Sequence, residues 1–388
     1  MPPARPSRAW TALAAALVAA AAAVAEPDPS AAGKVHTFAA RGVYFNARAM
    51  GEPGLEARLE RLVRAGGNTV VFDIKDREGE LSYPSSVPLA RRVGADDRAT
   101  VRRPRLFVKA LHAKGLHAVA RLTCFYDEHL AAARPDLAPR SRGGGPWRQK
   151  GKLAWLDPAN RAVQGYLLAL AREAADLGVD EIQLDYVRFP TEGDVGDAVF
   201  AFDRDKTPRH RLIADFVGRM RRVTAPRGVL LSADVFGIVA WGRAVDIAAT
   251  GQKMEALLPH LDVVSPMFYP SHFYGPFGRA AKPVEYPYYL VYLGCRKMSG
   301  VAAAYGVPVR PWVQAFGYRV KDFDAGYVVE QLHGAEDGGA QGWLLWSPQS
   351  RYRVGLRAME DFVYEGGQTD SSAVARRWPP PPPAGGAP

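Results

Sequence analysis

The chain has 388 residues, 48% of them apolar, with aromatics spread along its length; it can bury a large core, which excludes a disordered or fibrous protein. Its formal charge of +10 comes from scattered Lys and Arg rather than a basic stripe interleaved with aromatics, so no nucleic-acid partner is expected. Cys124 and Cys295 are the only cysteines, too few for a disulfide framework, and the fold must rest on its core.

Arg5 and Arg8 precede an Ala/Leu/Val run that ends in Ala23-Val24-Ala25, the pattern of a cleaved secretory signal over residues 1–25. It predicts a secreted or periplasmic protein with no stable membrane insertion after cleavage. No Cys follows the run, so a lipid anchor is not expected. Residues 26–38 read as a flexible lead-in.

From residue 39 a strand–helix rhythm begins. Arg41–Arg48 reads as a strand, Leu55, Leu59, Leu62 and Val63 recur at helical spacing, and Gly66-Gly67 stops that helix. Asn68–Lys75 is the second strand, followed by a polar stretch, a helix over 103–114 and a third strand, Leu116–Phe125. A long excursion over 126–157 precedes a helix to Leu177, with Asp157 as its expected N-cap and Pro158 in its first turn. The fourth strand is centred on Asp180-Glu-Ile-Gln-Leu-Asp185. Four more units follow, with strands at 229–236, 261–269, 307–316 and 342–347, and a helix over 355–364 closes the set.

Eight strands alternating with eight helices predict one α/β domain over 39–365, a (β/α)8 barrel with an extended loop between its third strand and third helix. No Gly-x-Gly-x-x-Gly or Walker pattern supports a nucleotide fold instead. Residues 366–388, with their Pro run, read as a disordered tail.

In such a barrel, polar side chains at the C-terminal strand ends gather over one pocket. Period-two alternation places Gln183 and Asp185 on one face of strand four, Ser232 and Asp234 on one face of strand five, and Val71, Asp73 and Lys75 on one face of strand two. Asp185 and Asp234, on neighbouring strands about 5 Å apart in backbone spacing, could flank one glycosidic bond. Tyr44, Tyr269, Trp312 and Trp346 lie at strand ends where sugar rings could stack. Asn46, Arg48, Arg121 and Gln314 sit at comparable depths, and Trp147 and Trp155 on the third loop could cover the cleft. Arg188 is expected to turn over the mouth and pair with Asp185 or Asp234, because Pro190 stops the strand.

The eight His residues form no His-Glu-x-x-His or His-x-His pair, and no Gly-x-Ser-x-Gly elbow exists. No metal or cofactor is therefore implied. Arg41-Gly-Val-Tyr-Phe-Asn, Asn68-Thr-Val-Val-Phe-Asp-Ile-Lys-Asp76, Trp155-Leu-Asp-Pro, Asp180 to Pro190 and Ser232-Ala-Asp-Val-Phe-Gly237 together resemble a glycosyl-hydrolase-like family once classed as a domain of unknown function. The resemblance implies a glycosidase-like TIM barrel and supports Asp185 and Asp234 as site residues. The Glu that many retaining families carry on strand four or five is missing, since Glu181 lies at the opposite end of its strand.

The reading that follows is an exported glycoside hydrolase acting on a poly- or oligosaccharide, with Asp185 as nucleophile or base and Asp234 as general acid. Substrate contacts are expected from Asp73, Lys75, Asn46, Arg121, Arg188, Tyr269, Trp312, Gln314 and Trp346. The alternative is a non-catalytic, glycan-binding barrel of the cell envelope. Sugar identity, stereochemical outcome and oligomeric state are open at the level of sequence.

Overall fold

The structure is a computed structural model that describes residues 39–364. The expected signal peptide, lead-in and Pro-rich tail lie outside the described residues. Eight parallel strands close a barrel in sequence order: β1 (Ala40–Phe45), β2 (Thr69–Lys75), β3 (His117–Thr123), β4 (Glu181–Asp185), β5 (Leu230–Phe236), β6 (Val263–Phe268), β7 (Trp312–Gln314) and β8 (Gly342–Trp346). The predicted (β/α)8 TIM barrel is thus the observed fold. The seam is made by β8 against β1, with Ala40 opposite Gly342 and Val43 opposite Leu345. Gly342 has φ +80°, and a Cβ there would sit 2.0 Å from the Ala40 carbonyl oxygen, so only glycine lets the two strands meet.

The helices between the strands are α1 (Leu55–Arg64), α2 (Pro104–Ala113), α3 (Arg161–Asp176), α4 (Arg209–Thr224), α5 (Met254–Leu257), α6 (Pro287–Ala302) and α7 (Ala325–Asp337), and α8 (Arg353–Tyr364) follows the last strand. Each long crossover helix turns its apolar stripe to the sheet, as Leu59 and Leu62 do from α1 and Val108 and Leu111 from α2. Outward strand residues such as Val43, Val70, Ile182, Leu184 and Leu231 complete the main core. Inside the barrel a smaller cluster of Tyr44, Val71, Val119, Tyr269, Trp312 and Leu344 fills the lumen. Among the described residues, no helix is long and apolar enough to cross a membrane.

Local chemistry moves several boundaries. β1 ends at Phe45 because the Asn46 side chain accepts from the Ala49 amide at 2.8 Å and caps a short helix, Ala47–Gly51. Arg48 consequently rides that helix and pairs with Glu52 at 3.3 Å. Asn160, not Asp157, caps α3, accepting from the Ala162 amide at 2.9 Å. The Asp157 carboxylate instead joins two loops, accepting from the amides of Ala159 and Ala201 at 2.8 and 2.6 Å. Pro308 and Pro311 lack amide donors, and β7 shrinks to three residues.

The excursion after β3 is ordered by its own contacts. Arg140–Ser141 pairs antiparallel with Ala198–Val199 from the loop after β4. Trp147 donates to the Asp194 carbonyl at 2.8 Å, and Trp155 donates to the Gln149 side chain at 2.5 Å. Both indoles are 1% exposed, so they are the packed interior of this excursion and not a cover over the cleft.

Candidate active site

At the C-terminal mouth of the barrel lies a cavity of about 710 Å³. Period two turns Asp73, Arg121, Asp185 and Asp234 inward, and all four line it. Register sets their heights: Asp73 stands opposite Arg121, Thr123 opposite Asp185, and Asp234 opposite Ser265.

The centre of the site is one guanidinium held among three carboxylates. Arg121 Nη1 bonds Asp73 at 2.5 Å, Nη2 bonds Asp185 Oδ2, and Nε lies 4.0 Å from Asp234 Oδ2. The same guanidinium lies 5.4 Å from the Tyr44 ring and 5.2 Å from the Trp346 ring, two rings that stack on each other at 4.2 Å. Burial works against the Arg121 charge, yet Asp185 and Asp73 outweigh it and hold its pKa well above the ordinary value.

The three carboxylates have different surroundings. Asp73 accepts from the Tyr44 hydroxyl at 2.5 Å as well as from Arg121. Its pKa is raised, chiefly by burial, against the opposing pull of Arg121 and Tyr44. Asp234 accepts from Trp312 Nε1 at 2.6 Å through Oδ1. Burial first, and then the Asp185 charge, push its pKa well above the usual carboxylate range, with Arg121 and Trp312 pulling the other way. Asp185 accepts from the backbone amide of Tyr186 at 2.6 Å and from Arg121.

Tyr186 has φ +50°, a left-handed conformation that costs a bulky residue about 1–3 kcal/mol and clusters at functional sites. This turn ends β4 directly after Asp185, ahead of Pro190. It folds the Tyr186 amide back onto the Asp185 carboxylate and places the Tyr186 ring in the cavity wall.

Tyr269, Trp312, Trp346, Asn46 and Arg188 also line the cavity, as expected. Asn46 spends its side chain on the helix cap and on the Pro348 carbonyl. Two expected residues are not in the wall. A register shift after Asp73 turns Lys75 away, and its ammonium is fully buried against Asp127 at 2.9 Å and the Thr123 carbonyl at 3.0 Å. Gln314 is a loop tie: it accepts from the Ser271 amide and donates to the carbonyls of Phe316 and Tyr318.

Arg188 corrects a third expectation. It turns over the mouth, but among the described residues no carboxylate pairs with it; Arg121 makes the carboxylate contacts instead. The Arg188 guanidinium lies among three rings, 4.2 Å from Phe236, 5.0 Å from Trp155 and 5.1 Å from Tyr186.

Sequence reading overlooked Asp76, which lines the cavity because the same register shift that hides Lys75 turns it inward. Its Oδ1 accepts from the amides of Gly79 and Glu80 at 3.0 and 2.9 Å. Burial, with the nearby Asp73 charge, raises its pKa to about 7. The signal was present as an Asp with Gly three residues on, an Asx-turn pattern at a strand end. Among the described residues no group of three or more His, Cys, Asp or Glu is arranged to hold a metal ion; the positive charge between the carboxylates is the Arg121 guanidinium.

A closed parallel barrel with acidic side chains gathered at its C-terminal mouth is the architecture of the TIM-barrel glycosidases. Residues 42–352 match the family described as "Putative glycosyl hydrolase domain", and the chain belongs to that family, which makes it an enzyme of the glycoside hydrolase class. The catalytic domain of β-amylase from Paenibacillus polymyxa has a similar fold, with TM-score 0.56 and 11% identity over 85% of this chain and 99% of that one. So does a β-galactosidase from Marinomonas ef1, with TM-score 0.58 and 10% identity over 84% of this chain and 59% of that one. A hypothetical protein from Ruminiclostridium thermocellum is 34% identical over 50% of this chain and 97% of its own, with TM-score 0.45. A search of the curated proteins found no match.

Proposed function

We propose that the protein is an exported glycoside hydrolase that cleaves an O-glycosidic bond of a poly- or oligosaccharide with Asp234 as general acid and Asp185 as nucleophile or base. The observation that carries this reading is the unequal treatment of the two carboxyl groups. Burial, and then the charge of a second carboxylate beside it, make Asp234 hold its proton more tightly than an ordinary aspartate, as a group that must protonate a leaving oxygen requires. With Oδ1 occupied by the indole N–H of Trp312, that proton belongs on Oδ2. Asp185 has the Arg121 guanidinium against one oxygen and the Tyr186 backbone amide against the other, contacts that hold the carboxyl group in one orientation for attack on carbon or on a water. The stacked Tyr44 and Trp346 rings offer an apolar face to a sugar.

Incubating the purified chain with a panel of polysaccharides and measuring new reducing ends tests the reading. Hydrolysis that vanishes in both Asp185→Asn and Asp234→Asn, in proteins that still unfold cooperatively, supports it. Glycan bound with no sugar released returns the alternative of a non-catalytic barrel. Export rests on the charged, apolar and small-residue pattern of residues 1–25, and the mature N-terminus, read by mass spectrometry after expression with the native leader, tests it.

A further inference from the structure

We propose that the glycan bound in this cavity carries an anionic substituent, a uronate carboxylate or a sulfate ester, and that Arg188 binds it. The proposal rests on the cavity being the substrate cleft.

Four arginines line the cavity: Arg48, Arg77, Arg121 and Arg188. Three have carboxylate partners of their own. Arg48 pairs with Glu52 at 3.3 Å, Arg77 with Glu78 at 2.8 Å, and Arg121 with Asp73 and Asp185. Among the described residues Arg188 has none, although it is only 8% exposed. Of its five N–H donors, one bonds the Phe189 carbonyl at 3.0 Å. A buried cation with most of its donors unspent is costly unless something completes it.

The surroundings of Arg188 point to what completes it. Phe236, Trp155 and Tyr186 present ring faces that hold the guanidinium in place and offset part of its desolvation, but rings cannot accept its directed hydrogen bonds. The nearest catalytic carboxylate, Asp185, is already engaged by Arg121 and the Tyr186 amide. The remaining direction is the cavity that Arg188, Tyr186 and Phe236 line together. A planar fork held rigid by aromatic packing, facing a sugar cleft, fits a planar carboxylate in bidentate fashion and a sulfate nearly as well. The anionic group would lie on the β4–β5 side of the mouth, across from the stacked Tyr44 and Trp346 rings on the β1–β8 side.

The test measures binding by calorimetry at about 0.15 M salt, where long-range attraction to a cationic chain is screened. Asp234→Asn is the parent, because an amide keeps the shape and charge of a protonated carboxyl and stops turnover. The probes are a galacturonan hexamer for carboxylate, a carrageenan hexamer for sulfate, and the carboxyl-reduced galacturonan hexamer as the neutral counterpart. The parent should bind at least one acidic hexamer more tightly than the neutral one. Arg188→Met should weaken that binding by about tenfold or more, and Arg188→Lys by less, as expected for a charged hydrogen bond. Removing the exposed Arg172 from α3 should change nothing. Equal affinity for acidic and neutral hexamers, no binding of either acidic hexamer, or an Arg188→Met variant that binds as the parent does would overturn the proposal. Should Arg188→Met fail to fold, Arg188→Lys decides, since it keeps the charge and loses the fork. An acidic hexamer bound by the parent yet left uncut by the unsubstituted chain sinks the hydrolase reading and leaves the anion site standing; a neutral glycan that is cut while acidic ones are refused does the reverse.

Discussion

At the N-terminal end of the barrel one carboxylate, Glu181, is surrounded by donors; at the mouth one guanidinium, Arg121, is surrounded by carboxylates. Glu181 is fully buried and receives Arg310 at 3.1 Å, His117 at 3.1 Å and the Ser232 hydroxyl. Burial would raise its pKa, but Arg310 and His117 outweigh burial and drive it well below the usual range. Around Arg121 the balance is inverted: three acids share one cation, and burial with mutual repulsion raises Asp234 and Asp73. Both clusters are acidic and basic groups in a barrel lumen, and both are almost without solvent. What differs is the ratio of charges, and that ratio separates a strut from a centre that can hold and release a proton.

The largest expected effects lie in exchanging one charge at each end. Asp185→Asn should lower kcat/KM on a hydrolysed glycan by about a thousandfold. Its stability in urea should move by no more than about 1 kcal/mol, because the amide still accepts from the Tyr186 amide and one of three crowded acids is neutralised. Glu181→Gln should do the opposite. It strands the buried Arg310 without its counter-charge and should cost about 3–5 kcal/mol in the same titration, with activity per folded molecule retained. If Glu181→Gln abolishes activity while stability holds, the division between strut and site is wrong.

A smaller effect is expected from Asp76, whose folded pKa of about 7 lies above the 3.8 of an unperturbed aspartate. The folded state then binds more protons than the unfolded one between those values. Its contribution to stability is full below about pH 4 and is lost as pH rises through about 7. The Tm should therefore fall from pH 5 to pH 8. Asp76→Asn keeps the acceptor used by the Gly79 and Glu80 amides while removing the titration, and should narrow that fall by about 2 °C. A fall of unchanged size would show that Asp76 ionises as an ordinary surface carboxylate. Asp73 and Asp234, raised in the same direction, leave part of the slope in place.

The barrel was legible because its signal is repeated eight times, and each apolar run or helical stripe must face the sheet–helix interface whatever its neighbours do. Asp185 and Asp234 were legible for the same reason, since both stand in strands that keep period two to their last residues. Reading failed where the period breaks. A register shift after Asp73 exchanges the roles of Lys75 and Asp76, and a one-residue slip is silent in composition. Asn46 leaves its strand to cap a helix, and Gln314 is drawn into loop carbonyls that no local pattern announces. Arg188 was placed at the mouth correctly, yet its partners are rings from the excursion after β3, from the turn after β4 and from the end of β5. Sequence distance hides the Trp155 and Phe236 sides of that cage.

The smallest effect concerns Trp312, whose indole N–H donates to the Asp234 carboxylate. Trp312 is 1% exposed, and its Nε1–H to Asp234 Oδ1 bond of 2.6 Å favours the ionised carboxylate, opposing the burial and the Asp185 charge that favour the proton. Trp312→Phe removes that donor and keeps a ring edge-on to Tyr44 and Trp346. The pKa of Asp234 should rise further. A general acid works only while protonated, so the limb on which activity falls with increasing pH should move to higher pH. Truncating the indole should also cost about 1–3 kcal/mol of stability through the space it leaves, an effect that does not depend on pH. Ser232→Ala removes a donor from Glu181 in the same way at the other end of the barrel. Because Glu181 does not line the cavity, that change should leave the limb where it is. A limb that moves with Ser232→Ala, or one that stays or moves to lower pH with Trp312→Phe, would mean that Asp234 is not the acid and that the two clusters do not divide as their charges suggest.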